Sequence, residues 1–221
     1  MTTAYELVVL DMAGTTVVDD GLVEGAFARA WDLVKDTEEG REAALDHVRA
    51  TMGQSKIDVF RALADEETAQ KLNVQFEQSL RDLIDEGRCA AIPGAEQAIA
   101  ALRERGLKIA FTTGFSRATA DAILTSLGWT ELADVVLSPA DAGRGRPAPD
   151  LVLTALIRTE TSSVASVVVV GDTESDAASG RSAGAGLVVG VLTGARDEAS
   201  LRAAGAHLVL ASVADLPAAL Q

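Results

Sequence analysis

Apolar and polar positions fall into two regimes along the chain. Tyr5–Leu10 is a short apolar run with the length of a buried strand. From Gly21 to Arg88 the apolar residues recur at helical spacing, as in the stripe Phe27, Ala30, Trp31 and Val34. Val23–Lys35, Ala43–Thr51, Ile57–Ala64 and Glu66–Asp85 read as helices, with Asp65 as the cap of the last. Pro93-Gly94 ends this regime. Beyond it, strands and helices alternate. Leu107–Thr112, Val135–Leu137, Val167–Val170, Leu187–Leu192 and Leu208–Leu210 read as strands. Ala95–Arg105, Ser116–Leu127, Pro149–Arg158 and Ser175–Ala183 read as helices, three of them closed by Gly106, Gly128 and Gly184.

Such alternation predicts an α/β fold with a parallel, Rossmann-like sheet and right-handed crossovers. The first strand precedes the helical block and the others follow it. The block is therefore expected as an all-helical cap inserted over the sheet's carboxyl edge. Residues 1–18 and 91–221 would form a discontinuous core and residues 19–90 the cap, joined near Val17–Gly21 and Arg88–Pro93.

A length of 221 residues, 48% of them hydrophobic, suits a globular core with a smaller inserted domain. The net charge of −14 and the absence of a basic stripe speak against nucleic acid. An anionic small molecule would need a local cationic cluster or a metal. Cys89 is the lone cysteine, so no intrachain disulfide forms. No run has the length of a membrane span and no leader pattern stands at the start, so the expected location is the cytoplasm.

Four polar clusters follow predicted strands: Asp11-Met12-Ala13-Gly14-Thr15, Thr112-Thr113-Gly114, Gly145-Arg146-Pro147 and Gly171-Asp172-Thr173-Glu174-Ser175-Asp176. In a parallel sheet these ends share one edge and can surround a phosphoryl group. Asp11 is the candidate nucleophile, forming an aspartyl-phosphate. Mg²⁺ would offset the repulsion between a carboxylate and an anionic phosphoryl group, with Asp11, Asp172 and the Ala13 carbonyl as its ligands. Thr113, Thr15 and the amides of Gly14 and Gly114 can donate to phosphoryl oxygens. Arg146 supplies planar positive charge, and Asp176 orients Arg146 or holds a metal-bound water, with Thr173 beside it. Gly180, Gly184 and Gly186 lack dinucleotide-loop spacing and read as turn and packing residues.

These motifs resemble haloacid-dehalogenase-type hydrolases over essentially the whole chain. Asp-x-Ala-Gly-Thr-Thr at residues 11–16, Gly-Arg-Pro-x-Pro at 145–149 and Met52-Gly53-Gln54-Ser55-Lys56-Ile57-Asp58 are similar to the phosphonatase group. The resemblance implies a Schiff-base lysine at Lys56, with Met52 at the substrate, and a homodimer joined through the caps. It also gives Ala13 a meaning. Ordinary phosphatases of this superfamily carry a second Asp there to protonate an alkoxide, whereas cleaving a carbon–phosphorus bond needs an electron sink instead. An iminium between Lys56 and an aldehyde provides that sink, and Lys56 must then be neutral to attack. Lysine is scarce here, four against fifteen arginines.

The chain departs from the phosphonatase pattern at three places. Val59 stands where a His is expected, Phe115 where a Tyr is expected, and Gly21 or Leu22 near an expected Cys. Three functions follow as alternatives: hydrolysis of phosphonoacetaldehyde or a related phosphonate, hydrolysis of a small phosphomonoester such as a sugar phosphate or phosphoglycolate, or non-catalytic phosphate binding in a regulatory module.

Overall fold

Strand β1, Leu7–Asp11, is buried on both faces along its whole length, as expected of a central strand in a parallel sheet. The computed structural model describes residues 5–35 and 39–220. Four helices follow β1: α1 (Leu22–Lys35), α2 (Arg41–Ala50), α3 (Lys56–Leu63) and α4 (Glu66–Asp85). After them come α5 (Ala95–Glu104), β2 (Lys108–Thr112), α6 (Arg117–Ser126), β3 (Val135–Leu137), α7 (Pro139–Ala142), α8 (Asp150–Arg158) and β4 (Val167–Gly171). The described chain ends with α9 (Glu174–Ala183), β5 (Leu187–Val191), α10 (Glu198–Ala203), β6 (Leu208–Leu210) and α11 (Leu216–Ala219).

Among the described residues the strands form one six-stranded parallel sheet in the order β3-β2-β1-β4-β5-β6. The order reverses at β1, the place where open α/β sheets build their sites. Strand periodicity divides the core. Leu7 and Val9 pack with Leu151, Val152 and Ala177 on one face. Val8 and Leu10 pack with Ile99, Leu102 and Ile123 on the other.

The second of these clusters runs on without a break into the helical block. There Phe27, Phe60 and Phe76 form a ladder with ring centroids 5.9 and 5.7 Å apart. Its last rung is Phe115, from the loop after β2, 6.5 Å from Phe76. A core residue thus completes the apolar interior of the inserted helices. The two chain crossings between sheet and helical block run side by side: Val18 N donates to Ala90 O at 2.8 Å, and Ile92 N to Thr16 O at 2.9 Å.

Two local expectations are corrected. Asp11 is the last residue of β1, paired with Thr112, and not the first residue beyond it. Arg146 does not directly follow a strand: α7 and a turn separate it from β3. Helices α7, α10 and α11 had no counterpart in the sequence reading, because four to six residues are too few to show helical periodicity.

Replacing Phe76 by Ala removes the middle of the aromatic ladder and should cost about 3–5 kcal/mol in chemical denaturation. A loss below about 1 kcal/mol would mean that the ladder does not hold these helices together.

Candidate active site

Strand register puts the functional carboxylates side by side. Leu10 of β1 is level with Val170 of β4, so Asp11 and Asp172 leave neighbouring strands at the same edge. Asp176 joins them from the first turn of α9. Thr173 caps that helix, and Asp176 answers by accepting from the Thr173 N–H at 3.1 Å. Carboxylate oxygens of Asp11, Asp172 and Asp176 lie within 4.8 Å of one another, all buried.

Arg146 enters this cluster from its loop. Its Nη1 donates to Asp11 Oδ1 at 2.6 Å and also to Asp176 Oδ1. Its Nε is buried and has no hydrogen-bond partner. A buried cationic donor without an acceptor is costly, and an anionic ligand would satisfy it.

Burial pushes the Asp11 carboxyl up to about 6, against the pull of Arg146 and with a further push from Asp176. Burial also raises Asp172 well above its ordinary value, reinforced by Asp11 and Asp176. One guanidinium cannot neutralise three desolvated carboxylates. The residues therefore fit a divalent cation. Oxygen donors are what Mg²⁺ prefers, and Asp11, Asp172 and the Ala13 carbonyl would hold it.

Space around Asp172 is made by glycine. A Cβ on Gly14, whose φ is +84°, or on Gly194 would collide with the Asp172 carboxylate. Thr15 Oγ1 donates to Asp172 Oδ1 at 3.0 Å. Two expected phosphoryl donors are thus engaged elsewhere in this structure. The Thr15 hydroxyl is turned to Asp172, and the Gly14 N–H donates to Val17 O at 2.7 Å. Thr113 Oγ1 accepts from Phe115 N at 3.1 Å, so its own proton remains available. Thr113 and Gly114 both line the cavity at Asp11.

Lys56 lines the same cavity and is 8% exposed, so it is not a solvated helix residue. It opens α3, and its backbone N–H donates to Gly114 O at 3.2 Å, tying it to the loop after β2. A Cβ on Gly114 would strike the Gln54 carbonyl, so glycine is what lets these two loops meet. Lys56 Nζ stands 5.6 Å from the centroid of the Phe115 ring. Burial lowers its ammonium to about 8, against the opposing charge of Asp19 and helped by Arg146. Val59 is buried in the apolar interior and offers no proton relay.

Met52, Gly53, Asp172 and Thr173 complete the lining of this cavity, whose volume of about 20 Å³ is room for roughly one water. A pocket of about 240 Å³ adjoins it, sharing Met52, Asp172 and Thr173. It is also lined by Asp19, which the sequence reading passed over, and by Arg196. Arg196 binds Glu174 at 2.7 Å and the Arg49 carbonyl at 2.7 Å, bridging sheet edge and inserted helices. Asp19 belongs to the Val17–Gly21 segment that joins the sheet to the helical block, and its spacing carries no signal of this pocket.

Comparison with known proteins places this geometry among relatives. Residues 5–184 match a family model described as haloacid dehalogenase-like hydrolase. Phosphonoacetaldehyde hydrolase of Bacillus cereus is 31% identical over 211 residues, covering 87% of this chain and 77% of its own. The enzyme of the same name from Parabacteroides distasonis is 29% identical and covers 97% and 95%. A crystal structure of a phosphonoacetaldehyde hydrolase-like protein from Oleispira antarctica superimposes with a TM-score of 0.83 at 24% identity, covering 98% of this chain and 91% of that one.

The raised Asp172 fixes a sign for stability. Between its ordinary and its raised value the native state holds a proton that the unfolded state has lost, so metal-free stability falls as pH rises through that window. Asp172→Asn should melt higher than the metal-free parent near pH 7, with the difference closing as pH falls toward 4. Mg²⁺ should raise the melting temperature of the parent and not of the variant. A variant that melts lower at pH 7, or that responds equally to Mg²⁺, would contradict this.

Proposed function

The chain belongs to the haloacid dehalogenase-like hydrolases, and from that premise we propose that it cleaves the carbon–phosphorus bond of a small phosphonate aldehyde of the phosphonoacetaldehyde type. The observation that carries this reading is a buried, readily deprotonated lysine in the same cavity as the strand-end aspartate. With an ammonium at about 8, on the order of a tenth of Lys56 is neutral at pH 7, far more than for an ordinary lysine.

The steps follow from the residues. The neutral Lys56 amine adds to the aldehyde and, with uptake of a proton and loss of water, becomes an iminium. An Asp11 oxygen then attacks phosphorus while the carbon–phosphorus electron pair moves into the iminium, leaving an enamine on Lys56 and the phosphoryl group on Asp11. Arg146, Thr113 and the Gly114 amide would hold the phosphoryl oxygens, the free Arg146 Nε among the donors. Mg²⁺, when bound by Asp11, Asp172 and the Ala13 carbonyl, supplies the positive charge that lets a carboxylate approach an anion. Water then releases phosphate from Asp11 and the aldehyde from Lys56. The small closed cavity implies that the helical block, residues 19–90, acts as a cap that opens to admit substrate and closes to exclude water.

A second reading keeps the phosphoryl site and makes the substrate a phosphomonoester. Val59 and Phe115 favour it, since neither carries the proton-transferring group of the phosphonatases. Ala13 opposes it, because nothing at that position protonates an alkoxide. The lone Cys89, half-buried, suits a reducing cytoplasm, and among the described residues no helix is long and apolar enough to cross a membrane. Exposed Leu33 and Val74 sit on one surface of the helical block and suit the cap-to-cap homodimer implied by the phosphonatase resemblance.

Borohydride with acetaldehyde should trap an adduct on Lys56, with a trapping rate that climbs through about pH 8. Lys56→Ala should lose turnover of the phosphonate by at least about 1,000-fold. No adduct, together with an unimpaired Lys56→Ala variant and activity on phosphate esters alone, would replace this reading with the second. Light scattering should report a dimer, and Val74→Glu should shift it toward monomer; a monomeric parent would remove the dimer.

A further inference from the structure

Proton supply is the one need of this chemistry that the cavity itself leaves unmet. Its titratable lining consists of Asp11, Lys56, Arg146 and Asp172. In the reading above these are the nucleophile, the amine, a permanent cation and a metal ligand. The adjoining pocket offers two further carboxyl groups, Asp19 and Glu24. Glu24 is already paired with Arg49, which donates to it from Nε at 3.1 Å and from Nη2 at 2.9 Å. Asp19 has no salt bridge among the described residues.

Asp19 is well placed. It stands in the linker from β1 to α1, and its Oδ1 accepts from the Val23 N–H at 3.1 Å. Val23 is itself part of the lining round Lys56. One oxygen therefore anchors the start of α1, and Asp19 lines the 240 Å³ pocket that shares Met52, Asp172 and Thr173 with the cavity. After burial, the Asp19 carboxylate is the strongest influence on the Lys56 ammonium, and it acts to favour the charged form. Burial raises the Asp19 carboxyl, opposed by the Val23 N–H and by Lys56, with Glu24 adding to the rise.

We propose that Asp19 is the acid–base group for the organic half of the substrate, standing in for the proton-transferring side chains absent at Val59 and Phe115. The assignment rests on the lysine reading above and deepens it. After the Lys56 amine has added to the aldehyde carbon, Asp19 gives its proton to the hydroxyl, which departs as water while the carbon–nitrogen bond becomes an iminium. Solvent protonates the enamine carbon after phosphoryl transfer. Water then adds to the resulting iminium, the carbon–nitrogen bond breaks, and the proton released returns to the Asp19 carboxylate. Each cycle restores both Lys56 and Asp19.

The experiment exploits the double use of Asp19. Asn caps a helix as well as Asp but carries no acidic proton. Asp19→Asn should keep the parent melting temperature and bind beryllium fluoride with Mg²⁺ at Asp11 as the parent does. Its turnover of phosphonoacetaldehyde should fall by about 100-fold or more. The kcat/KM profile should lose the limb belonging to this carboxyl, read against the other charged groups of the pocket: Glu24, Lys56, Arg49, Asp172 and Arg196. Formate should restore part of the rate to Asp19→Ala. Turnover of Asp19→Asn within about threefold of the parent overturns the assignment, as does a loss with an unchanged pH profile and no formate rescue, which would make Asp19 a helix cap only. A parent that turns over no phosphonate aldehyde defeats the reading beneath it, and this assignment with it.

Discussion

Everything at the sheet edge depends on one buried guanidinium among three buried carboxylates. Arg146 binds Asp11 and Asp176 at once, with about 3% of its side chain exposed. Desolvated like charges repel, and a single cation cannot offset three. The site therefore carries an uncompensated demand for positive charge and, at Arg146 Nε, an unmet demand for an acceptor. A divalent cation and an anionic phosphoryl group together answer both demands. The cation answers the first and the phosphoryl group the second.

The fold exists to hold that imbalance. A carboxylate cluster this tight needs elements that do not yield, and β1 and β4 are buried on both faces and paired to each other. Glycines at 14 and 194 leave the gap that Asp172 fills. The helical block contributes Lys56 to the lining of the same cavity. Lys56 is brought to the cavity because Gly114 lets its loop meet the Gln54 backbone, because Gly53 leaves room for the Thr173 side chain, and because Phe115 extends the aromatic ladder across the boundary. Burial of the amine is a consequence of that packing, and its lowered protonation follows from burial.

Much of this was legible in the residues, for reasons that differ by element. Apolar runs such as Val167–Val170 and glycine-terminated helices announce themselves by period and punctuation, so the order of strands and long helices could be written down in advance. Asp11 and Asp172 were legible because polar residues at strand ends share one edge in any parallel sheet. Hydrogen-bond partners were not. Thr15 and the Gly14 amide are drawn to Asp172 and Val17 by the local turn, which no spacing reveals. Arg146 reaches the cluster from a loop beyond α7, a path set by tertiary packing. Asp19 went unnoticed because its importance comes from a pocket assembled by α1, α2 and the loops after β4 and β5. Convergence of that kind has no signature in a local window.

If the Asp11 carboxylate takes the phosphoryl group, acid quench during turnover with substrate labelled at phosphorus, followed by peptide mapping, should find the label on the peptide containing Asp11. That label should depend on Mg²⁺ and be absent from Asp11→Asn. Steady turnover with no labelled peptide, or label that survives in Asp11→Asn, would contradict it.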